Sequence, residues 1–247
     1  MPEHYALDEF ATRRFDYRAG HHVAAFGPTQ IAGKTTLMFA LLQHTDPEIA
    51  RTVLCMKHSD RVVAGWTRRL DYQETPQWPP RRRLTQMHPA GYTLWPCQSL
   101  TDPEADNAHL AAQFTRAITH NRSHAPSITF ADEVYGLLAE LNLRTLLTAV
   151  VTRDSGAGHG LWYATQKPSG TQGISIPGFF FNSAEHMFLS KDGEERNRAR
   201  YGEIACGIDP RSIERETLKL APYSWLYIRR SGPQWAVIDA YDPALAV

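Results

Sequence analysis

Gly33-Lys34-Thr35-Thr36 is the group of residues in this chain whose types and spacing best suit a chemical task. An ammonium and two hydroxyls, where a loop meets a helix-like segment, suit a polyphosphate. Backbone N–H groups of the loop and the helix N-terminus add fixed partial positive charge. Lys34 is expected to reach the β- and γ-phosphates, and the Thr35 hydroxyl to ligate Mg²⁺. A short apolar run, residues 22–26, precedes the loop, and a helix-like segment over 37–43 follows it. That is the strand–loop–helix order of a phosphate-binding P-loop. The expected nucleotide-binding set is Gly27, Pro28, Thr29, Gln30, Ile31, Ala32, Gly33, Lys34, Thr35 and Thr36, with ATP and Mg²⁺ as ligands. The spacing departs from the usual one: five residues separate Gly27 from Gly33, so Pro28 stands where the first glycine belongs.

A second candidate is Asp132-Glu133, which closes the apolar run 127–131. Carboxylates at the carboxyl end of a buried strand lie where α/β sheets bind ligands. Asp132 is expected to hold the metal, and Glu133 to polarise a water for attack on the γ-phosphate. Asp132 is also suited to cap the helix that should begin near Val134. A third is Gln166, at the end of the apolar run 161–164, where a proline at 168 stops the strand. A glutamine there can hold the attacking water or donate to the γ-phosphate.

These side chains need elements to position them. Strands are expected at 22–26, 52–56, 127–131, 161–164 and 185–189, with a further one near 15–17 in an otherwise polar lead-in. Helices are expected over 35–43, 62–70, 103–120 and 134–147. Residues 224–229 and 234–239 alternate around Ser231-Gly232-Pro233 and predict a C-terminal β-hairpin. Strands alternating with helices imply an α/β fold with a mainly parallel sheet. Residues 71–98 stand apart: five prolines, Trp78, Trp95 and the run Arg81-Arg82-Arg83 suggest a long irregular excursion, with a short strand near 92–95. Trp78 to Arg83 is the guess for a DNA-contacting segment. No boundary or internal repeat divides the chain, so residues 1–247 are expected to form a single domain.

Composition narrows the partners. The 26 acidic and 26 basic residues cancel, which argues against coating nucleic acid by bulk charge. Contact with nucleic acid must then be local, and Arg68-Arg69, Arg81–Arg83 and Arg229-Arg230 are either such patches or solvated surface. The three cysteines are far apart in sequence and suggest neither a zinc site nor a disulfide framework. The N-terminus lacks a leader pattern, and the greasiest stretch, 137–151, is interrupted by Glu140, Asn142 and Arg144. A membrane anchor is not expected.

Together the three motifs resemble the FtsK/HerA family of P-loop ATPases, over roughly residues 22–190. Ala164-Thr165-Gln166-Lys167-Pro168-Ser169 is similar to that family's glutamine strand, as are Gly158-x-Gly160 before it and Ile174-Ser175-Ile176-Pro177 after it. The resemblance implies a RecA-like core with the glutamine strand between the P-loop and Asp-Glu strands. It implies ATP hydrolysis, a homo-oligomeric, usually hexameric ring, and double-stranded DNA in the pore. It also implies an arginine from the neighbouring subunit. The family often places it eleven residues before the glutamine; Ser155 stands there, so Arg153 is the first candidate, with Arg196, Arg198 and Arg200 as alternatives. The additional domains of segregation, conjugation and repair motors do not fit in this length. By size the chain looks like the genome-packaging ATPases of tectivirus-type, membrane-containing phages. That implies capsid-vertex or membrane-protein partners and work in the host cytoplasm or with the virion. A motor for plasmid or mobile-element transfer, a nucleoside kinase with the arginine run as a lid, and a non-hydrolysing adaptor are the competing readings.

Overall fold

The computed structural model describes residues 2–28, 32–81, 89–166, 168–169, 175–204, 206–232 and 234–241. Thr29, Gln30 and Ile31 of the loop, together with Arg82, Arg83, Lys167, Ile174 and Pro233, lie outside them. The strands are β1 (Glu3–Tyr5), β2 (His22–Phe26), β3 (Ala50–Leu54), β4 (Gln73–Thr75), β5 (Tyr92–Leu94), β6 (Ser127–Ala131), β7 (His159–Thr165), β8 (Ala184–Ser190), β9 (Trp225–Arg229) and β10 (Gln234–Ile238). The helices are α1 (Leu7–Arg13), α2 (Lys34–Gln43), α3 (Arg61–Arg69), α4 (Pro103–Ser123), α5 (Val134–Ala139), α6 (Arg144–Arg153), α7 (Gly178–Ser183), α8 (Glu195–Ala199) and α9 (Pro210–Lys219).

The ten strands of the described residues form one sheet, ordered β1-β10-β9-β8-β2-β7-β6-β3-β5-β4. It is parallel except where the hairpin strand β9 pairs with β8 and β10. The α/β class, the mainly parallel sheet and the C-terminal hairpin thus agree with expectation, and β7 lies between β2 and β6 as the resemblance implied.

The central strands are apolar at nearly every position because both faces are covered. In β2, Val23 and Ala25 face the cluster built with α1, α2 and α3, while Ala24 and Phe26 face the one built with α4 to α7 and α9. Helix α2 has buried residues from Thr36 to Leu42, which fits a helix enclosed on all sides. Phe39 stacks on Trp66 of α3 at 5.9 Å and meets Phe130 of β6 edge-on at 5.7 Å. The helix that starts at Lys34 is thereby fixed against the strand that ends just before Asp132.

Several local expectations give way to long-range pairing. Residues 15–17 are not a strand; β1 takes that role by pairing in parallel with β10, some 230 positions away, a partner invisible locally. The helix expected over 134–147 is two helices, α5 and α6, separated by Asn142 at φ 52°. Within the excursion 71–98, β4 and β5 extend the sheet beyond β3. Trp78 is a correction: it is 5% exposed, packs edge-on against Tyr92 at 5.6 Å, and accepts no role at a DNA surface. Its backbone N–H donates to Gln113 Oε1 at 2.7 Å, which fixes the excursion to α4. Arg229 and Arg230 are paired with Glu185, and Arg69 lies 4.8 Å from the Trp66 ring centre. Among the described residues no helix is long and apolar enough to cross a membrane.

Candidate nucleotide-binding site

Four parallel strands, β2, β7, β6 and β3, end at one cavity of about 250 Å³. Its lining is Gly33, Lys34, Thr35, Thr36, Lys57, Val62, Asp132, Glu133, Gln166 and Tyr223. Lys34, Thr35, Asp132, Glu133 and Gln166, singled out from the sequence, therefore meet in one place. Carboxyl ends of parallel strands are the usual ligand edge of such sheets.

Two glycines are required by the backbone here. Gly33 caps α2 at φ 69°, a left-handed conformation, and a Cβ on it would meet Tyr241 Oη at 3.0 Å. Gly27 lies against β8: a Cβ there would sit 2.1 Å from Ser190 Oγ. Gly27 therefore permits the close approach of two strand ends. Its N–H also donates to Thr165 O at 3.1 Å, which holds the glutamine strand against the start of the loop. The Lys34 ammonium donates to Gly27 O at 2.8 Å and Pro28 O at 3.3 Å. Burial draws that ammonium below the usual lysine value, and Glu133 and Asp132 oppose the shift.

The Thr35 hydroxyl donates to Asp132 Oδ1 at 2.6 Å. A hydroxyl and a carboxylate in contact are hard oxygen donors of the kind Mg²⁺ takes, so the side chains present fit that ion. Glu133, not Asp132, is the N-cap of α5: its Oε1 accepts from Tyr135 N at 3.2 Å. The capping expectation for Asp132 is thus corrected. Asp132, 6% exposed, has its oxygens turned to Thr35 and to Lys57 instead. Burial pushes the Glu133 carboxyl above its usual value, against the Thr165 hydroxyl, Lys34 and the Tyr135 N–H. A carboxylate that binds a proton more tightly than usual is a better base.

Lys57 was missed in the sequence. It stands three residues past the end of β3, and its ammonium lies 3.1 Å from Asp132 Oδ2 and 2.6 Å from Asp60 Oδ2. The signal was its place just past the end of a buried strand, the same logic that singled out Asp132. Tyr223 was missed too; it holds φ 62°, an uncommon backbone for a bulky residue, and its ring edge stands beside Gly33.

The arginines separate. Arg198 bonds Glu214 and Asp192 O, and Arg200 clamps Pro168 O at 3.0 Å and Ile176 O at 2.6 Å while lying over Phe181. Both are committed within this chain. Arg153 and Arg196 are exposed. Arg153 ends α6 just before β7 begins, so it sits a strand length, about 20 Å, from the Gln166 end. It does not join the cavity of its own chain.

No protein-family model matches the chain, and no curated protein sequence does. Solved structures do. The DNA-packaging ATPase B204 of Sulfolobus turreted icosahedral virus superposes with a TM-score of 0.59 at 12% identity, covering 92% of this chain and 100% of that one. The genome-packaging NTPase B204 of Sulfolobus turreted icosahedral virus 2, in complex with AMPPCP, gives 0.56 at 11% identity over 90% and 98%. The type VII secretion ATPase EccC of Thermomonospora curvata gives 0.50 at 14% identity, covering 93% of this chain and 26% of that one. The chain shares its fold with these solved ATPase structures.

Proposed function

We propose that this chain is an ATP-hydrolysing double-stranded DNA translocase, the motor ATPase of viral genome packaging. The observation that carries the reading is the convergence of Lys34, Thr35, Asp132, Glu133 and Gln166 on one cavity. A kinase needs only a phosphate cradle, a metal and an acceptor pocket. A glutamine beside the γ-phosphate position, on a strand between cradle and acids, suits a machine that must register whether ATP has been cleaved. Size adds support, since the similar packaging ATPases are matched over 97% or more of their own length.

In this reading Thr35 and Asp132 hold Mg²⁺, which supplies charge compensation for the phosphates. Lys34 leaves the Gly27 and Pro28 carbonyls for the β- and γ-phosphates. Glu133 takes the proton of the attacking water, and Gln166 orients that water or the γ-phosphate. Val62 and Tyr223, the apolar members of the lining, suit the base and ribose. The chain works as a homo-oligomeric, hexameric ring around duplex DNA. It acts in the host cytoplasm, against capsid-vertex or membrane proteins.

The direct test is ATP hydrolysis with and without duplex DNA, alongside particle images. We expect hydrolysis to rise severalfold with duplex DNA and rings to form. Hydrolysis indifferent to DNA, or transfer of phosphate to a nucleoside, would overturn the translocase reading.

Arg153 is our candidate for the arginine delivered across the ring. Arg153→Ala should lower turnover by roughly a thousandfold, the scale of a lost arginine finger, while nucleotide affinity holds. Mixing it with Glu133→Gln subunits should restore part of the rate, because some interfaces then pair an intact arginine with an intact base. If Arg196→Ala has that effect and Arg153→Ala does not, the assignment moves to Arg196.

A further inference from the structure

Among the described residues that line the cavity, Lys57 is the charged one that triphosphate cleavage leaves without a role. Its ammonium bridges two carboxylates, Asp132 Oδ2 at 3.1 Å and Asp60 Oδ2 at 2.6 Å. Asp132 is the carboxylate assigned above to Mg²⁺, so a cation of this chain already stands against the oxygen opposite Thr35. We propose that Lys57 is a tethered counter-cation. It holds Asp132 in place before the metal arrives, and withdraws to Asp60 when a divalent ion binds. The inference rests on the reading of the cavity as a Mg²⁺–nucleotide site.

Three observations carry it. First, Asp132 is almost wholly buried, and an ionised carboxylate there needs compensation on both oxygens. Thr35 supplies a hydroxyl to one and Lys57 a charge to the other. Second, an ammonium and a divalent ion on one carboxylate repel each other strongly in a partly dry site. Metal entry therefore requires the ammonium to yield.

Third, the lysine has somewhere to go and a fixed base to swing from. Its backbone carbonyl accepts from Trp95 Nε1 at 2.6 Å and from Cys55 Sγ at 3.8 Å, so the main chain is held. The side chain itself is half-exposed, and a lysine stem is flexible. Asp60 is held independently as the N-cap of α3, with Oδ1 accepting from Val62 N at 2.9 Å and Val63 N at 3.1 Å. Its Oδ2 is thus positioned to keep the ammonium after Asp132 releases it. The ammonium stands between two carboxylates, so its position is set by both. Because Val62 also lines the cavity, the exchange links metal arrival to the start of α3.

The test is metal affinity, measured apart from turnover. Mn²⁺ is titrated into protein with AMPPCP, and free Mn²⁺ is counted by electron paramagnetic resonance, for wild type, Lys57→Met and Lys57→Arg. Lys57→Met should bind Mn²⁺ about tenfold more tightly, because a competing charge is gone. Lys57→Arg should stay within about threefold of wild type, since the charge remains. A merely structural lysine would weaken binding when removed, so tightening is specific to the proposal. Lys57→Gln repeats the experiment should the methionine variant fail to fold. Equal or weaker Mn²⁺ affinity in the neutral variant, with wild type binding AMPPCP normally, overturns the Lys57 role alone. A wild-type protein that binds no AMPPCP with or without Mn²⁺ overturns the nucleotide reading, and this inference with it.

Discussion

Glu133→Gln should trap ATP on the protein without cleaving it. We expect turnover to fall roughly a thousandfold while ATP affinity stays within a few-fold of wild type. The amide is nearly isosteric and its oxygen can still accept from Tyr135 N–H, so the cap of α5 survives. What disappears is the ability to take a proton from water. Burial raises the Glu133 carboxyl, so wild-type turnover should fall as pH drops through that raised value, where the base becomes protonated. The residual rate of the variant should lack that acidic limb. Stability should not suffer at neutral pH. A carboxyl shifted upward in the fold contributes stability below its unfolded-state value and loses it as pH rises, so a neutral side chain there costs nothing near pH 7. Phosphate release across a pH series, with thermal unfolding alongside, checks both statements. A variant that hydrolyses ATP at the wild-type rate would remove Glu133 from the mechanism.

Lys34→Ala should abolish the binding on which everything else depends. Charge-assisted bonds from a half-buried ammonium contribute about 2–3 kcal/mol, so ATP affinity should drop about a hundredfold. The loop loses something as well, because Lys34 is the donor to the Gly27 and Pro28 carbonyls. A titration with a fluorescent ATP analogue reads the effect. If affinity is unchanged, the cavity is not a P-loop cradle, whatever its shape.

Much of the site was legible before any fold was known. The loop ending in Gly33-Lys34-Thr35, the acidic pair and the glutamine each sit after an apolar run, and a buried parallel strand leaves that signature in the chain itself. Most strand ends shifted by no more than a residue or two, as hydrogen-bonded boundaries do, while α4 runs three residues further than expected. Other features were not legible, for definite reasons. Trp78, read as a DNA-contacting side chain, is sealed beneath α4 because Gln113 holds its backbone, and nothing near residue 78 announces that partner. The strand β1 exists because β10 offers it an edge. The division of the arginines into engaged and exposed members depends on acids and carbonyls brought up by folding, such as Glu214 for Arg198 and Ile176 O for Arg200.

The amino-acid order alone determined which groups could meet a triphosphate: a lysine and threonine after a turn, two acids and a glutamine after buried strands. Such information is local, because strand period, turn residues and capping act over a few positions. Only the tertiary structure decided which of those groups touch. Thr35 and Asp132 are 97 positions apart, Lys57 and Asp132 75, and both contacts follow from a strand order in which β7 and β6 lie between β2 and β3. Strand order is set by the sum of many apolar contacts on both faces of the sheet. No single segment carries it, so the pairing of Lys57 with Asp132 had to be seen in the fold.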